Sequence, residues 1–105
     1  MTFVCLGKVP VPTSGTPVPL SADKTIQAHY IVFSQDPAST GKVYLKNVKG
    51  GQAVLIRAFI PPGTTGFLDE HRLDGDSQAN PLYPADWAVD AANTGDGMIV
   101  YWVSE

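Results

Sequence analysis

The sequence contains one cysteine, Cys5, so no disulfide can form within the chain. Set in the apolar run Phe3-Val4-Cys5-Leu6, that cysteine reads as a small buried hydrophobe. Charge is sparse. Charged residues are 16% of the chain, against about 25% in an average domain. Lys and Arg number 7 against 10 Asp and Glu, a net charge of −3, which excludes the basic footprint of a nucleic-acid binder. No apolar run approaches the roughly 18 residues of a membrane span. The first residues lack the basic segment and long apolar stretch of a secretion signal, so synthesis in the cytoplasm is expected. Only two histidines are present, His29 and His71, too few with one cysteine for a zinc site. No window shows a sustained helical period.

The chain is 105 residues long, 44% of them hydrophobic, enough for one domain with its own core. Ten glycines and nine prolines fall between short apolar runs. Dense turn residues between short strands are the pattern of an all-β sandwich or barrel.

Residues 2–6 read as a first strand. Residues 8–20 carry prolines at 10, 12, 17 and 19, which cannot donate to a sheet ladder, so this piece reads as an extended arm. Residues 26–33 read as a strand apolar on both faces toward its end, hence central. Residues 42–46 alternate, with Val43 and Leu45 inward. Residues 47–51 close on Gly50-Gly51 as a hairpin turn, and 52–60 form its second strand. A weaker strand is expected at 66–70, and a long polar connection at 69–86. Residues 86–91 form a short strand, 93–97 a turn, and 98–103 a last strand apolar on both faces. Such a strand is either central in its sheet or covered by another subunit.

Candidate chemistry is thin. The acidic residues Asp69, Glu70, Asp74 and Asp76 could offer oxygen ligands to calcium, but they lack the spacing of a calcium-binding loop and fit solvated turns better. No Gly-x-Ser-x-Gly elbow is present, and His71 adjoins Arg72 in a polar stretch. Gly95-Asp96-Gly97 leads into a strand rather than a helix, unlike a phosphate-cradling loop. The aromatics Tyr30, Tyr44, Tyr83, Trp87, Tyr101 and Trp102 could line a sugar-binding face, but in a small all-β domain such residues belong more often to core or interface.

Four pieces, in order, bear a resemblance. They are Gly15-Thr16-Pro17-Val18-Pro19-Leu20-Ser21 followed by residues 26–33; Ser39-Thr40-Gly41-Lys42-Val43-Tyr44-Leu45, similar to an N-T-G-x-V-Y-V-G element; Ile60-Pro61-Pro62-Gly63-Thr64-Thr65, similar to an L-x-P-G-x-S turn; and Trp87-Ala88-Val89-Asp90-Ala91 with Gly95-Asp96-Gly97-Met98-Ile99-Val100-Tyr101. Together they span residues 15–103 and resemble small structural proteins of tailed-phage virions, in particular capsid decoration (cement) proteins. Ser39 stands where that pattern has asparagine, and Lys46 where it has glycine.

The resemblance implies a single β-sandwich over 1–105, jelly-roll-like, that is not an enzyme and takes no cofactor or metal. It implies a homodimer or homotrimer on the virion that binds the major capsid protein between capsomers, with neither nucleic acid nor membrane as partner. Arm residues Val9, Pro10, Val11, Pro12, Pro17, Val18 and Pro19 are then the candidate capsid contacts. From the residues themselves, Tyr101 and Trp102 are candidate core or subunit contacts, and Tyr83 and Trp87, with the 69–86 loop, are the candidate surface contacts of a carbohydrate-binding reading. A minor tail, neck or baseplate component and a carbohydrate-binding module are the rival readings.

Overall fold

A computed structural model describes residues 2–60, 69–75 and 82–104. Eight strands follow one another: β1 (Thr2–Pro10), β2 (Val18–Pro19), β3 (Ala28–Gln35), β4 (Val43–Asn47), β5 (Val54–Phe59), β6 (Glu70–Asp74), β7 (Trp87–Ala91) and β8 (Gly97–Ser104). They form two four-stranded antiparallel sheets. One has the order β1-β8-β3-β6, the other β2-β7-β4-β5. Only the β4–β5 connection stays within a sheet; every other one crosses between the two.

Alternation along the strands builds one core from both sheets. Ile31 and Phe33 of β3 and Met98, Val100 and Trp102 of β8 join Val43 and Leu45 of β4, Phe59 of β5, and Val89 and Ala91 of β7 in a single apolar cluster. β3 and β8 are central in their sheet, as their two apolar faces require. The β4–β5 hairpin turns through Gly50 and Gly51, at φ of 81° and 83°, a region that favours glycine.

The expected arm is part of the body. β1 runs to Pro10 rather than ending at residue 6, paired with β8 along its length. Val9 and Val11 are buried in the core, and so is Leu20. The Val11 N–H donates to the Asp96 carbonyl at 2.9 Å, and the Leu20 N–H to the Trp87 carbonyl at 2.9 Å. Val18 is half-buried against the core and pairs with Val89; Pro19 pairs with Ala88. Pro10, Pro12 and Pro19 are exposed and Pro17 is half-exposed. Proline is tolerated here because β1 and β2 are sheet edges, where an absent donor leaves no ladder bond unmade.

Two more corrections follow. The stretch 69–86 is not one long loop: β6 pairs with β3 from Ser34↔Glu70 to Tyr30↔Asp74, Leu82 bridges Ala28, and Pro84–Asp86 make a short 3-10 turn. Four of the five β6 residues are polar or charged, which hid a strand whose only apolar contribution is Leu73. Cys5 is exposed, not buried, because it lies opposite Tyr101 on the outer face of an edge strand. The weak strand expected at 66–70 falls mostly outside the described residues, as do Pro61-Pro62-Gly63 and Asp76.

Candidate functional site

The loops at one end of the molecule are stitched together by two buried aspartates. Asp96 accepts from the N–H of Thr40 at 3.0 Å, the N–H of Gly41 at 2.9 Å and the Thr40 hydroxyl at 3.0 Å. The Asn93 amide donates to the same hydroxyl at 3.1 Å. Ser39-Thr40-Gly41 and Asn93–Gly97 are thereby one clamp. Asp90 lies on the face of β7 turned away from the core, yet it is 2% exposed. Lys46 reaches its Oδ2 at 2.7 Å, while Oδ1 takes the N–H groups of Gly15 at 3.0 Å and Ala91 at 2.8 Å. Burial alone would raise the Asp90 carboxyl; the bonds from Lys46, Ala91 and Gly15 outweigh it and hold the group below the ordinary carboxylate value. Asp36 is held low as well, chiefly by the Ala38 N–H, against some desolvation and with help from Lys8 at 3.0 Å. Each of these carboxylates has bonds filled from within the chain, so all three aspartates read as structural.

The outer face of the β1-β8-β3-β6 sheet is different. One residue from each strand forms a row across it: Phe3, Tyr101, Tyr30 and Arg72. The Phe3 and Tyr101 rings lie 5.5 Å apart, tilted by 39°. Tyr101 and Tyr30 meet edge to face at 6.5 Å. The Arg72 guanidinium stands 4.1 Å over the Tyr30 ring, and its Nε donates to Asp74 at 2.9 Å. Phe3 is 62% exposed. Val32 and Val103 belong to this face but are buried, so their neighbours close over them. Glu70, Arg72 and Asp74 rim one side and Lys8 the other. A strip of aromatic and aliphatic side chains with a charged rim, carrying an arginine, has the composition of a protein-docking surface.

The other candidates scatter. Trp102 is in the core, 3% exposed, and its buried indole N–H has no partner among the described residues. Tyr101 is on the outer face. Tyr83 leads into the Pro84–Asp86 turn, and its hydroxyl accepts from the Gln27 amide at 3.3 Å. Trp87 packs partly against the core. Tyr83 and Trp87 do not join the row. Among the described residues no three His, Cys, Asp or Glu side chains gather where a metal ion could be held. His71 is half-buried with Nδ1 3.3 Å from Arg57, which also pairs with Asp69. An open depression of about 400 Å3 is lined by Thr25, Ile26, Gln27 and Ser104 and gathers no reactive group.

Phe3 and Arg72 were not candidates from sequence. The available signal was the apolar character of both faces of β3 and β8. No protein-family model matches the chain, and comparison with curated proteins and with solved structures gives no significant match.

Proposed function

We propose that the chain is a non-enzymatic virion structural protein, a decoration protein that docks on the outer shell of a tailed-phage head and stabilises it. The sheet orders β1-β8-β3-β6 and β2-β7-β4-β5, with nearly every connection crossing, support a jelly-roll sandwich as its architecture. The observation that carries the functional reading is the Phe3–Tyr101–Tyr30–Arg72 row. It replaces the proline-rich segment as the capsid contact, since that segment is occupied by its own fold. A rigid sheet face loses little conformational entropy on docking. Repetition around a symmetric shell lets modest individual contacts add through effective concentration.

Phe3 is exposed, so Phe3→Asp should fold. The test is sedimentation of purified protein with isolated, expanded heads. Wild type should co-sediment, and Phe3→Asp should bind at least tenfold more weakly, about 1.4 kcal/mol. Wild type that stays in the supernatant overturns the reading.

The same row favours a second reading, a carbohydrate-binding module. The rings of Phe3 and Tyr101 offer apolar faces for a sugar ring, and the Arg72–Asp74 pair offers hydrogen bonds for hydroxyls. Retention on a glycan array that Phe3→Asp abolishes would select it over the capsid reading.

A further inference from the structure

An aspartate followed by glycine is the dipeptide in which a side-chain carboxyl most easily meets the next backbone nitrogen. Glycine has no Cβ to shield its N–H, and its backbone is the freest of any residue. The sequence holds two such pairs, Asp74-Gly75 and Asp96-Gly97. The fold treats them in opposite ways.

Asp96 is buried, and its carboxylate accepts from two backbone N–H groups and a hydroxyl. Gly97 opens β8, a central strand, and packs against the Val9 carbonyl of β1. Freeing this pair means undoing the loop clamp and parting two strands. Asp74 is the last residue of β6, which ends its sheet and pairs only with β3 among the described residues. Its side chain is 68% exposed, and its one bond comes from Arg72, itself 54% exposed. The Gly75 N–H is held by one bond, to the His29 carbonyl at 2.8 Å. A strand end with so few ties opens at a small fraction of the global unfolding free energy. Packing nevertheless demands glycine at 75: a Cβ there would lie 2.7 Å from the Leu82 Cβ and 2.8 Å from the Ala28 carbonyl oxygen.

We propose that Asp74-Gly75 is a site of spontaneous isoaspartate formation in the folded protein, and that Asp96-Gly97 is not. When the end of β6 frays, the Gly75 nitrogen leaves the His29 carbonyl and attacks Cγ of Asp74. The N–Cγ bond forms, the nitrogen gives up its proton, and a carboxyl oxygen leaves as water, closing a five-membered succinimide. Water then opens the ring. Breaking the N–Cγ bond restores aspartate. Breaking the bond from the nitrogen to the main-chain carbonyl carbon leaves the chain running through Cβ and Cγ, an isoaspartate. Water is the only co-reactant, and the mass of the chain is unchanged.

The product carries one extra methylene in its backbone, and its free carboxylate sits on Cα. Arg72 Nε then loses the acceptor it holds at 2.9 Å, and Gly75 falls out of step with His29. Arg72 stands over Tyr30, so the change reaches the outer face of the sheet. This inference rests on the chemistry of the pair and not on the capsid reading.

The test holds the full chain at neutral pH for several weeks, in buffer and in concentrated urea. Peptides are then mapped by electron-transfer fragmentation, which marks isoaspartate by cleavage of its Cα–Cβ bond. In buffer, isoaspartate should form at 74 at least about tenfold faster than at 96, the factor given by a difference of about 1.4 kcal/mol in opening. In urea, where no fold protects either pair, the two should convert at comparable rates. Asp74→Glu, whose side chain closes only a slower six-membered ring, should stay unmodified at 74 in both. No conversion at 74 in buffer overturns the proposal. So does conversion at 96 as fast as at 74 in buffer. The same preference for 74 in urea also overturns it, since the difference would then lie in the local sequence and not in the fold. None of these results bears on whether Phe3 binds heads.

Discussion

The Lys46 ammonium lies 2.7 Å from the Asp90 carboxylate, whose other oxygen takes the N–H of Gly15 at 3.0 Å. A residue on β4 and one on β7 thus fix a loop from the distant N-terminal part of the chain. The Ser14 hydroxyl adds a bond to the Ala91 carbonyl at 2.8 Å. Lys46→Met would leave Asp90 buried without its counter-charge. Breaking a buried pair from one side costs about 3–5 kcal/mol; with Lys46 21% exposed, about 2–4 kcal/mol is expected. Chemical denaturation at neutral pH checks it.

The same carboxylate predicts acid sensitivity. Its folded value lies below the ordinary one, so its stabilisation is fully present above the unfolded value of about 3.9 and is lost as pH falls through the folded value. Asp36 contributes in the same direction. The melting temperature of wild type should fall steeply below about pH 4. Asp90→Asn should melt lower at neutral pH and show a flatter acid limb. An Asn variant with the same acid limb as wild type would show that other groups govern it.

Asp96→Ala removes the acceptor for two backbone N–H groups and a hydroxyl. Two donors left poorly bonded cost about 2 kcal/mol, or roughly 8–16 °C in Tm for a domain of this size. Thermal unfolding followed by circular dichroism reads this directly. The melt of Asp96→Asn should fall between those of wild type and Ala.

Gly97→Ala and Gly15→Ala separate two reasons for glycine. A Cβ at Gly97 would lie 2.0 Å from the Val9 carbonyl oxygen, a backbone atom that cannot move without parting β1 from β8. Gly15 has φ of 87° and nothing within 4 Å. Its replacement should cost about 1–2 kcal/mol of left-handed strain, whereas Gly97→Ala should cost more than 3 kcal/mol or prevent folding. Comparing the two urea midpoints checks this.

Much of the fold was legible because its grammar is local. β3, β4, β5, β7 and β8 were readable within two residues at each end from alternation and from Gly-Gly, Pro-Pro and Asn-Thr-Gly punctuation. Two misreadings share one cause. An edge strand needs neither a full set of donors nor two apolar faces, so prolines 10, 12, 17 and 19 suggested an arm over 8–20, where β1 ends and β2 runs, and Glu70–Asp74 suggested a loop where β6 runs. The aromatic row was not legible as such. Its members are Phe3, Tyr30, Arg72 and Tyr101, and only the strand order β1-β8-β3-β6 sets them side by side.

Removing residues 2–10 distinguishes body from arm. β1 pairs along β8, and Val9 lies in the core. The truncated chain should be unfolded by circular dichroism, not a folded domain that merely binds less.

The most direct test of the central claim is quantitative mass spectrometry of purified phage particles from the lysate in which the chain is made, read as copies per copy of the major shell protein. The decoration account predicts a near-stoichiometric ratio. A few copies per particle would contradict decoration in favour of a tail, neck or baseplate position, and absence from particles would contradict the virion reading altogether.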